Sequence, residues 1–236
     1  MKTITIWSDY ACPYCYIGER RLKDAVKELG VEEAIRFEYR AFELNPNAPI
    51  KPEAGTTAER LAAKYGISVE QAKKNIENID KLAKEIGINM KFEGVKSTNT
   101  LDAHRLMKFA QTTYEPAIYE ALNEALFKAY FVEGKSLADR KLLLNIAESV
   151  AMDPIQSKDV LESDLYTNDV RYDEQEAHMR GVSGVPYMVF DGEFAVPGAI
   201  STEDCKHALR DLLGGVKEKP QGLHGAECDE TGCKVG

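Results

Sequence analysis

Basic residues are in the minority: 30 Lys and Arg stand against 39 Asp and Glu, a formal net charge of −9 over 236 residues. A basic face for nucleic acid is therefore not expected. No run of 18 consecutive apolar residues occurs, so no helix is expected to span a membrane. The N-terminus enters a strand pattern at once, with neither a basic n-region nor an apolar h-region. No secretory signal is read, and the expected compartment is the cytoplasm. There is no internal repeat and no low-complexity tract. Cysteine is scarce, with five residues at positions 12, 15, 205, 228 and 233. In a reducing compartment such usage suggests catalytic, redox-sensing or metal-binding thiols rather than structural cross-links. What remains is ordinary, 44% hydrophobic and 29% charged. That describes a soluble globular chain, long enough for one large domain or two modest ones.

The chemistry concentrates in Asp9-Tyr10-Ala11-Cys12-Pro13-Tyr14-Cys15. Thr3 to Trp7 before it reads as a strand, and a helical pattern after it runs to Leu29 and closes at Gly30. Two cysteines two residues apart at a strand-to-helix junction read as a redox dithiol. A helix N-terminus favours a thiolate, and the thiolate is the nucleophile in disulfide exchange. Pro13 costs no helical hydrogen bond at that position. The line Cys15, Gly18, Leu22, Ala25, Val26, Leu29 has helical spacing, so Cys15 faces the core. Cys12 is expected to be accessible and to attack, with Cys15 resolving. The same pair could be half of a zinc site or a chance pair at a helix end.

Lys2 to Ser8, the helix Pro13 to Leu29 and the alternating stretch Ala34 to Phe42 make a βαβ unit. Helices are then expected over Thr57 to Tyr65, from a capping box at Ser68-Val69-Glu70-Gln71 to Gly87, and over Asn99 to Tyr114. More are expected over Pro116 to Val132, Ser136 to Val150, Lys158 to Leu165 and Asn168 to Arg180. Strands return at Tyr187 to Phe190 and Phe194 to Val196, around an Asp191-Gly192 turn. A last helix begins near Ser201, with Cys205 on its apolar face as a buried core thiol. With the helical block removed, the order is that of a thioredoxin fold. The fold class is α/β, with a discontinuous thioredoxin-fold domain (1–45 and 166–215), an inserted all-helical domain (46–165) and a flexible tail (216–236) that carries Cys228 and Cys233.

These residues resemble the DsbA-like thioredoxin-fold oxidoreductases, and more closely the cytoplasmic FrnE-type branch. The likeness rests on Ser8 to Cys15, Asn99-Thr100 with Ala103-His104-Arg105, Leu126 to Phe131 and Ser183-Gly184-Val185-Pro186. It implies thiol–disulfide exchange, and disulfide isomerase activity as a variant of it. Cys12 would attack and Cys15 resolve. It also implies a cis bond before Pro186, in the loop facing the cysteines, where a substrate backbone is held. Pro186 could equally be an ordinary residue of an edge strand. Pro13 and Tyr14 match glutaredoxins rather than DsbA, which has a histidine in that dipeptide. With Val185 and Pro186 they are the expected substrate-binding residues. His104 joins them, or is a hydrogen-bonded core histidine. Glu19, Arg20 and Arg21 are expected in solvent, and Tyr114, Tyr119, Tyr130 and Phe131 in packing.

No metal and no cofactor is expected. Glutathione or another small thiol is a candidate co-substrate, and disulfide-containing proteins or small thiols are candidate partners. The alternative reading is a glutathione-dependent isomerase or transferase of the 2-hydroxychromene-2-carboxylate isomerase and kappa-class kind. That group generally has serine at the place of Cys12. Cys228-x4-Cys233 is read as a second redox pair within reach of the first, as metal ligands with His224 nearby, or as incidental thiols.

Overall fold

The computed structural model describes residues 1–52, 54–214, 227–229 and 232–234. Strand β1 (Lys2–Ser8) leads into helix α1 (Pro13–Leu29), and β2 (Ile35–Ala41) returns parallel to β1, pairing Lys2 with Ile35 through Ser8 with Ala41. Gly30 ends α1 in the left-handed region at φ 66°, where a residue without Cβ adds no strain. Strands β3 (Tyr187–Phe190) and β4 (Phe194–Pro197) complete a sheet of order β2-β1-β3-β4, with β3 antiparallel to β1. Asp191 and Gly192 both take positive φ in the turn between β3 and β4, as an Asp-Gly hairpin requires. Helix α9 (Thr202–Gly214) packs on α1.

The inserted segment supplies α2 (Thr57–Tyr65), α3 (Val69–Glu85), α4 (Leu101–Thr113), α5 (Pro116–Phe127), α6 (Arg140–Ser149) and α7 (Pro154–Glu162). Helix α8 (Thr167–Met179) leads back to the sheet and lies with α4 over β2. Its Asp173 carboxylate accepts from Arg40 and from the Ala41 amide, and its Asp173 carbonyl accepts from the Trp7 indole at 3.0 Å. Buried side chains of the sheet and most inserted helices form one continuous cluster. A second, small cluster (Ala58, Ala62 and Ala72, flanked by Leu61 and Ile76) belongs to α2 and α3 alone.

Three local expectations are corrected. The helix expected over Pro116 to Val132 ends as α-helix at Phe127 and continues as one π-helical turn, Lys128–Val132. That turn sets Tyr16 parallel to Phe127 with ring centroids 5.0 Å apart, and brings Phe131 within 6.4 Å of Tyr16. Ser68 caps α3 by accepting from the Gln71 amide, but the Gln71 side chain turns to Asn75 instead of completing a box. The reciprocal box stands one helix earlier, between Thr56 and Glu59 at the start of α2. In the tail, β5 (Glu227–Asp229) and β6 (Gly232–Lys234) form an antiparallel pair whose register sets Cys228 opposite Cys233. His224 lies outside the described residues. Among the described residues no helix is long and apolar enough to cross a membrane.

Candidate active site

The turn from β1 into α1 places both cysteines. Cys12 is the N-cap of α1 in extended conformation, and its carbonyl accepts from the Cys15 and Tyr16 amides. Pro13 occupies the first helical turn, where its missing N–H has no intrahelical partner to lose. The Cys12 thiol donates to the Val185 carbonyl at 3.5 Å, and the Val185–Pro186 bond is cis. Pro186 in turn lies close to Gly18 of α1: a Cβ built on Gly18 would stand 3.2 Å from Pro186 Cγ and 3.3 Å from the Ala199 backbone. The missing side chain at Gly18 is what lets this loop approach the helix so closely.

Cys15 is fully buried, and its thiol is pushed well up by that burial and by its hydrogen bond with the free Cys12 thiol. Cys12 departs from expectation. Helix-end placement predicts an accessible sulfur, yet Cys12 is only 5% exposed. Its sulfur lies against the Val185 carbonyl of the cis-proline loop. Glu19, expected in solvent, is also buried, at 3%. Its carboxylate accepts from Ser8 Oγ at 2.7 Å and from the Asn123 side-chain amide. Burial pushes Glu19 up to about 7, against the pull of Lys23 and of those two hydrogen bonds. It sits one turn beyond Cys15 on the same helix, so a carboxylate able to take or give a proton near neutrality lies beneath the dithiol.

Asp9 anchors the motif from the other side. Its carboxylate accepts from the Ala11 amide at 3.1 Å, the Leu44 amide at 2.8 Å and the Thr100 hydroxyl at 3.0 Å. Burial alone would raise Asp9; His104 and the Leu44 and Ala11 amides outweigh it and hold the carboxyl below its ordinary value. His104 Nε2 stands 3.5 Å from Asp9 Oδ1, and its ring lies 4.9 Å from that of Tyr10. His104 is thus a buried residue beside Asp9. Cys205 is fully buried, and burial pushes its thiol up to about 12.

Beside the dithiol a cleft of about 520 Å³ opens between Asp9, Ala11 and Pro13 on one side and α2 and α3 on the other. Tyr130 and Phe131 close its floor, and Arg60 and Lys64 of α2 bring positive charge to it. That volume is typical of small-molecule sites. The sequence reading missed the α2 contribution, and nothing near the motif announces it.

A thioredoxin-type sheet, a Cys-x-x-Cys at the N-terminus of its first helix and a cis-proline loop against the first sulfur define a class: thioredoxin-fold proteins with an inserted helical segment. The chain matches the DsbA-like thioredoxin domain over residues 3–210, and it belongs to that family. A probable DsbA oxidoreductase from Streptomyces coelicolor superposes with a TM-score of 0.83 at 31% identity, covering 100% of both chains. The chain is also similar to YwbO, an uncharacterized protein of Bacillus subtilis strain 168, at 25% identity over 88% of this chain and 96% of that protein. Two more distant structures share the fold. A 2-hydroxychromene-2-carboxylate isomerase has a TM-score of 0.66 at 18% identity, covering 90% of this chain and 95% of its own. The cytosolic disulfide reductase DsbM of Pseudomonas aeruginosa, with GSH, has a TM-score of 0.62 at 13% identity, covering 90% and 99%.

Proposed function

We propose that this protein is a thiol–disulfide oxidoreductase of the cytoplasm, with Cys12 attacking and Cys15 resolving. One observation carries the reading: the Cys12 sulfur lies at a helix N-terminus, against the carbonyl of the residue that precedes the cis proline. The Cys12 thiolate attacks one sulfur of a disulfide. A Cys12–substrate bond forms as the substrate S–S bond breaks, and one substrate thiolate leaves. Cys15 gives up its proton and attacks Cys12 Sγ, which releases the second thiolate and leaves a Cys12–Cys15 disulfide. The dithiol is oxidised by two electrons and the substrate disulfide reduced by two. Run backward, the same steps oxidise a substrate dithiol, and arrest at the mixed disulfide permits isomerisation.

Val185, whose carbonyl meets the attacking sulfur, receives the substrate chain together with Pro186, Pro13 and Tyr14. Glu19 is the acceptor for the Cys15 proton. Cys228 and Cys233, opposite one another in register, serve as a second dithiol that exchanges with the first. Glutathione or a similar thiol is the reductant of the Cys12–Cys15 disulfide.

The test is trapping. Cys15→Ser should accumulate mixed disulfides at Cys12, visible on non-reducing gels, and Cys12→Ser should not, with exchange lost by roughly a thousandfold or more. Trapping at position 15 in Cys12→Ser would reverse the roles. If both variants keep full exchange, the reading fails. The isomerase alternative is separated by assaying glutathione-dependent isomerisation in the Cys12→Ser protein, which would then retain activity.

A further inference from the structure

The resolving step takes a proton from Cys15, which is fully buried. Glu19 receives that proton and is buried as well. A carboxyl group so placed exchanges protons with solvent only through its hydrogen-bond partners. One of them, Ser8 Oγ at 2.7 Å from Glu19 Oε1, belongs to a residue that lines a small cavity. Asn123, the other partner, lines the same cavity. The cavity measures about 10 Å³, room for one water and little else. Tyr39 of β2 also lines it, and the buried Tyr39 hydroxyl has no hydrogen-bond partner among the described residues. A buried hydroxyl left unpaired is costly, and a water here pairs it. Ser8 Oγ gives its proton to Glu19 and keeps lone pairs that accept from the same water.

The cavity also has a way out. Arg40 and Lys108 line both it and an outer cleft of about 410 Å³ between β2 and α4. Neither space shares a lining residue with the cleft beside the dithiol. We infer that the cavity binds one ordered water, held by Ser8 and Tyr39, through which the Cys15 proton passes from Glu19 to solvent at Lys108. This rests on the exchange reading above, in which Cys15 resolves and Glu19 takes its proton. The transfers balance. Glu19, protonated by Cys15, gives a proton to Ser8 Oγ as Ser8 gives its own to the water. The water gives one to Lys108 as the Lys108 ammonium releases one to solvent. One proton has gone from the Cys15 thiol to bulk water, and every group between them ends as it began. Burial, against the pull of Asp173, holds the Lys108 ammonium below its ordinary value, which eases that release. Return of the proton from Glu19 to the Cys15 thiolate competes with attack on Cys12. Departure to solvent ends the competition.

The test follows both half-reactions in one mixing experiment. Reduced protein and one equivalent of the chromogenic disulfide dithiobis(nitrobenzoate) release two thiolates in sequence. The first leaves as Cys12 attacks the reagent, the second as Cys15 attacks Cys12. Tyr39→Phe keeps the ring and the Glu19 hydrogen bonds, and so isolates the water. It should slow the second phase at least about threefold and the first less than about twofold. Ser8→Ala should slow the second phase about tenfold. In both variants the ratio of second-phase rates in light and heavy water should exceed that of the unaltered protein. Second phases of unchanged rate in both variants overturn the exit, and so does slowing with an unchanged isotope ratio, which loosened packing alone produces. A crystal structure of the reduced protein should show one water within hydrogen-bond distance of Ser8 Oγ and Tyr39 Oη, and a dry cavity overturns the site. If the water is there but the unaltered protein releases no second thiolate, the site stands and the resolving role of Cys15 falls.

Discussion

Two helices line the cleft beside the dithiol, and they are built differently. Helix α1 buries Cys15, Ile17, Leu22 and Ala25 completely, in the continuous core under the sheet. Helix α2 buries two alanines against its neighbour α3. Chemistry is carried by the first, whose geometry must hold to a fraction of an ångström. The second supplies Thr57, Arg60, Leu61 and Lys64 to the other side of the cleft.

The largest expected effect is a stability contrast that could break this comparison. Leu22→Ala in α1 should cost about 3 kcal/mol, the lost transfer energy of a fully buried side chain plus its cavity. Leu61→Ala in α2, half-buried, should cost about 1 kcal/mol. Urea denaturation of both variants decides it; equal losses would mean that α2 is part of the rigid frame.

Next comes the pH dependence of the frame itself. Glu19 has a folded value near 7 against an ordinary 4.5, so the folded state binds its proton more tightly than the unfolded chain does. The associated stability is present below pH 4.5 and is lost as pH rises through 7. Between pH 5 and 8 the loss should be on the order of 2–3 kcal/mol. Glu19→Gln should flatten that slope in urea titrations at the two pH values; an unchanged slope would show that Glu19 is not the titrating group.

The smallest effect sharpens the comparison. Thr56→Ala removes the capping box of α2 and should weaken that helix by about 1 kcal/mol. Amide exchange should quicken over residues 57–65 with no change in α1. Quickening in both helices would mean that they open together.

What the chain discloses before folding follows the range of its interactions. The bounds of β1, α1, α2 and β3 were legible because a local pattern and a local stop set each one, as Gly30 and Gly66 do. The fold class was legible from element order, and Cys15 from helical spacing alone. The burial of Cys12 was not, because the Val185 carbonyl that its sulfur meets arrives from the far end of the chain. Glu19 read as solvated because a carboxylate on a helix usually is. Its partners Ser8 and Asn123 come from β1 and α5, and only their convergence makes burial tolerable. The π-helical turn after Phe127 has no local sequence signature, and neither does the turning aside of Gln71.

The strand order β2-β1-β3-β4 also bears on how the protein is made. Strand β1 leaves the ribosome well before its antiparallel partner β3, which begins only at Tyr187. At ordinary translation speeds the nascent βαβ unit waits roughly 10–30 s with one edge of β1 unpaired. Ile4, Ile6 and Trp7 lie along that strand, apolar and later wholly covered. An open apolar edge of this kind is a template for pairing with other chains. The newborn chain should therefore depend on a holding chaperone until residue 190 has emerged, and truncations ending before β3 should aggregate where the full chain stays in solution.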